Sequence, residues 1–139
     1  MAIAVQSDIE TVWGTRNVAI WSNLDNESTS ANTARITAAL SQAEDTINDR
    51  FRGQTRYAVP LTSNTGTHSQ VVKTWAAVIA GKWLYDNRLI RGAPDTQTQQ
   101  LVDTRMAQVM QEIDSYVAGP RVMDYVLRSN VYGTAPSAI

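Results

Sequence analysis

The sequence predicts an all-α fold, a small bundle of three long helices with one or two short N-terminal helices, an extended loop and an extended C-terminal arm. Three observations support this. Three long stretches repeat apolar residues at the 3.6-residue helical period. Glycine or proline punctuates their ends. Partial alternation with β-branched residues, the strand signal, sets in beyond Gly119.

In chain order, Ser7-Asp8-Ile9-Glu10 reads as a capping box, in which a serine and a glutamate satisfy each other's orphan backbone donors at a helix start. A short helix follows to Trp13 and Gly14 ends it. Thr15 caps a second short helix carrying Val18, Trp21 and Leu24, which runs out in the polar segment Asn23 to Thr29. Ser28 or Ser30 opens the first long helix, with Ile36, Leu40, Ala43, Ile47 and Phe51 along one face. Gly53 is expected to close it by taking the left-handed backbone conformation.

The residues after Gly53, Gln54-Thr55-Arg56-Tyr57-Ala58-Val59-Pro60-Leu61, form a stiff extended strap, because Pro60 fixes its own φ and pushes Val59 toward extended geometry. A polar linker, Thr62 to Gly66, leads into a second capping-box pattern, Thr67-His68-Ser69-Gln70. The helix it opens carries Val71, Val72, Trp75, Val78, Ile79, Trp83, Leu84 and Tyr85 and is expected to end near Arg91-Gly92. It is apolar around much of its circumference, the mark of a helix wrapped by its neighbours. Asp95 caps the last long helix, with Leu101, Val102, Met106, Val109, Met110, Ile113, Tyr116 and Val117 at helical spacing, and Ala118-Gly119-Pro120 stops it.

Residues 1–120 thus read as one helical domain and residues 121–139 as an arm. The arm's Val122, Met123, Tyr125, Val126, Leu127, Val131 and Tyr132 need a partner, since an isolated strand leaves its backbone groups and apolar face unsatisfied. The partner is either another chain or the arm's own bundle, unless the end of the arm is simply disordered. On the first alternative, deleting residues 121–139 is expected to leave the domain folded and to abolish attachment.

Composition narrows the chemistry. A chain of 139 residues without cysteine is the size of one domain, and disulfides, thiolate metal sites and thiol nucleophiles are excluded. The apolar run Trp75 to Gly81 falls far short of the ~20 residues of a membrane helix. Met1 to Val5 has neither a basic region nor a long apolar core, so no signal peptide is expected and synthesis in the cytoplasm follows. A net charge of −1 gives no global attraction to nucleic acid. Of the twelve basic residues ten are Arg, which suits desolvated, bidentate contacts.

The pattern at Ile47, Phe51, Gly53, Tyr57, Pro60 and Leu61, followed by a Trp-bearing helix with Leu84-Tyr85, resembles the Mu-like phage head-to-tail connector (adaptor) family. The resemblance runs from Ile9 to Arg91, and Asn48 stands where that pattern expects an acidic residue. It implies a virion structural protein: a ring, commonly of twelve subunits, under the portal at the capsid vertex. Such a ring continues the DNA channel and presents the attachment surface for the tail or its stopper. On that reading Arg50, Arg52, Arg56, Tyr57, Pro60 and Leu61 lie at subunit contacts, and Tyr125, Leu127, Val131 and Tyr132 reach toward the portal or a neighbouring subunit.

No catalytic signature accompanies these features, and no cofactor is expected. His68 is the single histidine, expected at the surface beside a helix cap, with no second His or Cys to complete a zinc site. Glu44, Asp45 and Asp49 form a carboxylate run in which only Asp45 and Asp49 share a helix face, and Arg52 and Arg56 are near enough to pair with them. Trp13, Trp21, Trp75 and Trp83 fall at core spacing, although tryptophan faces can also stack bases. The Arg50, Arg52 and Arg56 patch could meet acidic residues of a neighbouring subunit or DNA phosphates. The latter makes a small helical nucleic-acid-binding regulator the alternative reading.

Overall fold

The structure, a computed structural model, describes residues 3–23, 30–53, 56–88 and 96–128. It is all-helical, with α1 (Gln6–Trp13), α2 (Thr15–Trp21), α3 (Thr33–Arg52), α4 (Gln70–Asp86) and α5 (Thr96–Val117). The three long and two short helices are those the apolar periodicity demands. Leu24, Ser28, Gln54, Thr55, Arg91, Gly92, Asp95, Val131 and Tyr132, to which the sequence assigns roles, lie outside the described residues.

α4 is the axis of the bundle and packs against α1, α2, α3 and α5. Its residues are buried on nearly every side, from Val72 and Trp75 through Gly81 to Leu84 and Tyr85. Ala76, Ala77, Ala80 and Gly81 bring neighbouring helices close. At Gly81 an added Cβ would overlap the Trp13 indole, whose N–H donates to the Ala77 carbonyl at 3.1 Å. Trp13, Trp21 and Tyr85 follow edge to face, with ring centroids 5.5 and 5.0 Å apart. α5 is tied to α1 by Arg105, which donates to the Val12 carbonyl at 2.9 Å and covers the Trp13 ring.

The starts of α1, α3 and α4 differ from the expectation because a nearer side chain does the capping. α1 starts after Val5, whose N–H is taken by the Asp8 carboxylate at 2.8 Å, so Ser7 lies inside the first turn. Asn32, not Ser28 or Ser30, caps α3 by accepting from Arg35 N–H. Ser69 caps α4 by accepting from Val72 N–H, and this helix ends at Asp86 rather than near Arg91. Gly53 does follow α3, but at φ −82°, so it ends the helix without the left-handed turn. Leu101, placed on the core face of the last helix by its spacing, is exposed.

Among the described residues no strand forms. The strap and arm meet through two isolated antiparallel bridges, Tyr57–Leu127 and Ser63–Tyr125. The described part of the arm therefore folds back on its own chain, the second of the two alternatives. No helix among the described residues is long and apolar enough to cross a membrane.

Candidate functional site

The residues singled out by sequence converge on one end of the molecule, where α3 and α5 finish and the strap and arm lie side by side. Phe51 closes the core there, edge to face with Tyr57 at 5.7 Å and stacked on Trp75 at 6.3 Å. The strap is held to α3 by Asn48, a buried amide whose oxygen accepts the Leu61 N–H at 2.9 Å. An aspartate here would bring a buried charge to a place where one neutral acceptor suffices. That is why the departure from an acidic residue at this position is physically sound.

The arm pairs with the strap through four backbone bonds. Arg128 N–H donates to Arg56 and Ala58 N–H to Val126, while Val126 N–H donates to Thr62 and Asn64 N–H to Asp124. Val126 thus uses both backbone groups on the strap, and the strap bows out between Ala58 and Thr62 around the cis Val59–Pro60 peptide. Two tyrosines fasten the pair. The Tyr57 hydroxyl accepts the Met123 N–H at 2.7 Å. The Tyr125 hydroxyl reaches the Ser69 N–H at 3.1 Å and His68 Nδ1 at 2.7 Å.

His68 is buried, 8 % exposed, against the expectation of a surface position. The reason is Tyr125, itself 1 % exposed, which turns the imidazole inward. The hydroxyl accepts from Ser69 N–H and shares one proton with Nδ1, either as donor to a bare ring nitrogen or as acceptor from Nδ1–H. Burial lowers the His68 pKa below 6.5, with Glu44 opposing and Lys73 and the amino-terminal charge assisting. Burial likewise raises the Tyr125 pKa above 10.0. A cavity of about 200 Å³, lined by Glu44, Pro60 to Ser63, Gly66 and His68, opens beside this contact.

The basic patch is largely used within the chain. Arg50 makes a two-pronged contact with Asp114 at 2.7 and 2.9 Å, and Arg52 pairs with Asp49. Arg56 donates to the carbonyls of Tyr116, Gly119 and Arg121 at 2.8 to 3.1 Å. These are acceptors at the negative end of α5, where a cation is favoured. Tyr57, Leu61 and Tyr125 are buried in the chain's own core, whereas Pro60 and Leu127 are exposed. Trp13, Trp21 and Trp75 are core residues, and half-buried Trp83 lies under the Arg35 guanidinium.

Sequence reasoning missed the His68–Tyr125 contact, the Asn48 cinch and the Tyr57–Met123 bond. The two tyrosine contacts join segments 57 and 66 residues apart, and the Asn48 contact spans 13. Asn48 alone left a trace, as an uncharged residue within an acidic run. Among the described residues no group of three or more His, Asp or Glu is placed to hold a metal ion. A longer groove of about 500 Å³ runs between residues 4–6 and α3, lined by Val5, Ile36, Leu40 and Glu44 among others.

A family sequence model described as Bacteriophage Mu, Gp36 matches residues 4–104. The matched span takes in α1 to α4, the strap and the first part of α5, and stops short of the arm. No curated protein matches the chain.

Proposed function

The chain belongs to the bacteriophage Mu Gp36 family, and from that premise we propose that it is a structural, non-enzymatic protein of the phage particle, one subunit of a head-to-tail connector ring. The family match over residues 4–104 carries the reading. In it the subunits, twelve to a ring, sit beneath the portal in the neck of the virion. They continue the DNA channel without reading sequence and offer the surface on which the tail or its stopper is built.

Two features support this reading. Of the large hydrophobic residues left exposed among those described, Val122, Val126 and Leu127 fall within one short stretch of the arm. Apolar side chains gathered along an extended arm suit a protein partner better than solvent. The proposed contact surface is therefore the outer side of the arm with Pro60 and Leu127, together with Val131 and Tyr132 further along the sequence, and with Arg50 and Arg52 at its margin. The internal pairing of Arg50, Arg52 and Arg56 speaks against the nucleic-acid-binding alternative, since those guanidinium groups already hold acceptors.

Disrupting the gene in its phage and imaging the particles by electron microscopy tests the proposal. Separate heads and tails, with heads that lose their DNA, are expected. Tailed, infectious particles of normal appearance would overturn the connector role.

A further inference from the structure

Tyr125 is the anchor of the arm: its ring is buried while its neighbours Asp124 and Val126 are exposed. Its hydroxyl is the point where the arm meets the start of α4. Ser69 N–H occupies one of the hydroxyl's two acceptor lone pairs at 3.1 Å, and Nδ1 lies 2.7 Å from the oxygen, within reach of its proton.

We propose that the Tyr125 hydroxyl donates to a bare Nδ1, and that His68 is thereby a pH-sensitive latch, whose neutral imidazole holds residues 121–128 on the strap and whose protonation lets that segment go. An imidazolium presents N–H at both ring nitrogens. Nδ1 then faces the hydroxyl as a second donor beside Ser69, and the tyrosine proton loses its imidazole acceptor inside a packed site. The cheapest relief is to withdraw Tyr125, and with it the arm.

The surroundings make the protonated state reachable. His68 borders the 200 Å³ cavity, and Glu44 of α3 lines the same space. The Glu44 carboxylate favours a charged imidazole, while Lys73 of α4 and the amino-terminal charge oppose it, and Tyr125 is the titratable group facing it from the arm. Burial outweighs Glu44, so the latched histidine titrates below its ordinary value of 6.5. A base with a depressed folded-state pKa stabilises the closed form fully above the unlatched value. That stabilisation is lost as pH falls through the lower, latched value. Over this window the opening equilibrium rises about tenfold per pH unit.

Hydrogen exchange on the full chain at about pH 7.5 and about pH 5, corrected for intrinsic rates, tests the latch. The Ala58, Val126 and Arg128 amides, which bridge strap and arm, should lose protection several-fold at the lower pH, while amides within α4 keep theirs. His68→Gln supplies an acceptor that does not titrate, and it should abolish the pH dependence. Tyr125→Phe keeps the ring and removes the hydroxyl, and should leave the arm weakly protected at both values. Should His68→Gln fail to fold, the contrast between the wild type and Tyr125→Phe decides. Imidazole nitrogen NMR near neutral pH should find Nδ1 without a proton. Equal arm protection at both pH values, an equal loss in His68→Gln, or a protonated Nδ1 at neutral pH would each overturn the latch.

Discussion

Gly81 has no side chain because the Trp13 indole occupies the space one would need. Gly81→Ala should destabilise the fold by about 1–3 kcal/mol through overpacking, seen as a lower urea midpoint. Trp13→Phe should recover part of that loss, so a double-mutant cycle should give a clear coupling between the two. Asn48→Ala leaves the buried Leu61 N–H without its acceptor and should cost about 1–3 kcal/mol, again by denaturant titration. Asp114→Ala breaks an ion pair whose partners are 42 % and 58 % exposed. The loss there should be no more than about 1 kcal/mol and should shrink with added salt.

The ends of the helices, rather than their middles, carry the information the sequence concealed. Apolar period alone identifies the long helices, because burying one face against α4 outweighs local preferences. Ends are decided by competition among neighbouring polar side chains, so Asn32 displaced Ser30 and Ser69 displaced Thr67 as caps. The strap and arm were legible as extended segments, yet their pairing was not, since Tyr57 and Met123 stand 66 residues apart and no local pattern joins them. The same holds for Arg56, read as part of a contact patch and found closing the end of α5. Arg56→Ala should cost about 1.5–3 kcal/mol, the range for hydrogen bonds to a charged group, and should speed hydrogen exchange in the last turn of α5. Arg56→Lys should not restore protection, since an ammonium lacks the planar fork that reaches three carbonyls.

For the molecule as a whole, the arm belongs to the stability of the bundle as well as to its surface. A chain ending at Pro120 loses the buried Tyr125 ring, the cover over Tyr57 and the backbone partners of the strap. Such a chain, expected from sequence to stay folded, should do so with a loss of about 3–5 kcal/mol, comparable to truncating a large core aromatic, measurable by urea or thermal unfolding. The bundle without the arm still has its central helix covered by α1, α2, α3 and α5, which is the part the family match largely spans. Pairing across so many residues also sets a timetable for the nascent chain. At ~5–20 residues per second of synthesis, Tyr57 is made roughly 3 to 13 seconds before Met123, which lies 66 residues later. The ribosome therefore releases the strap with its outer edge bare and supplies its partner only seconds later.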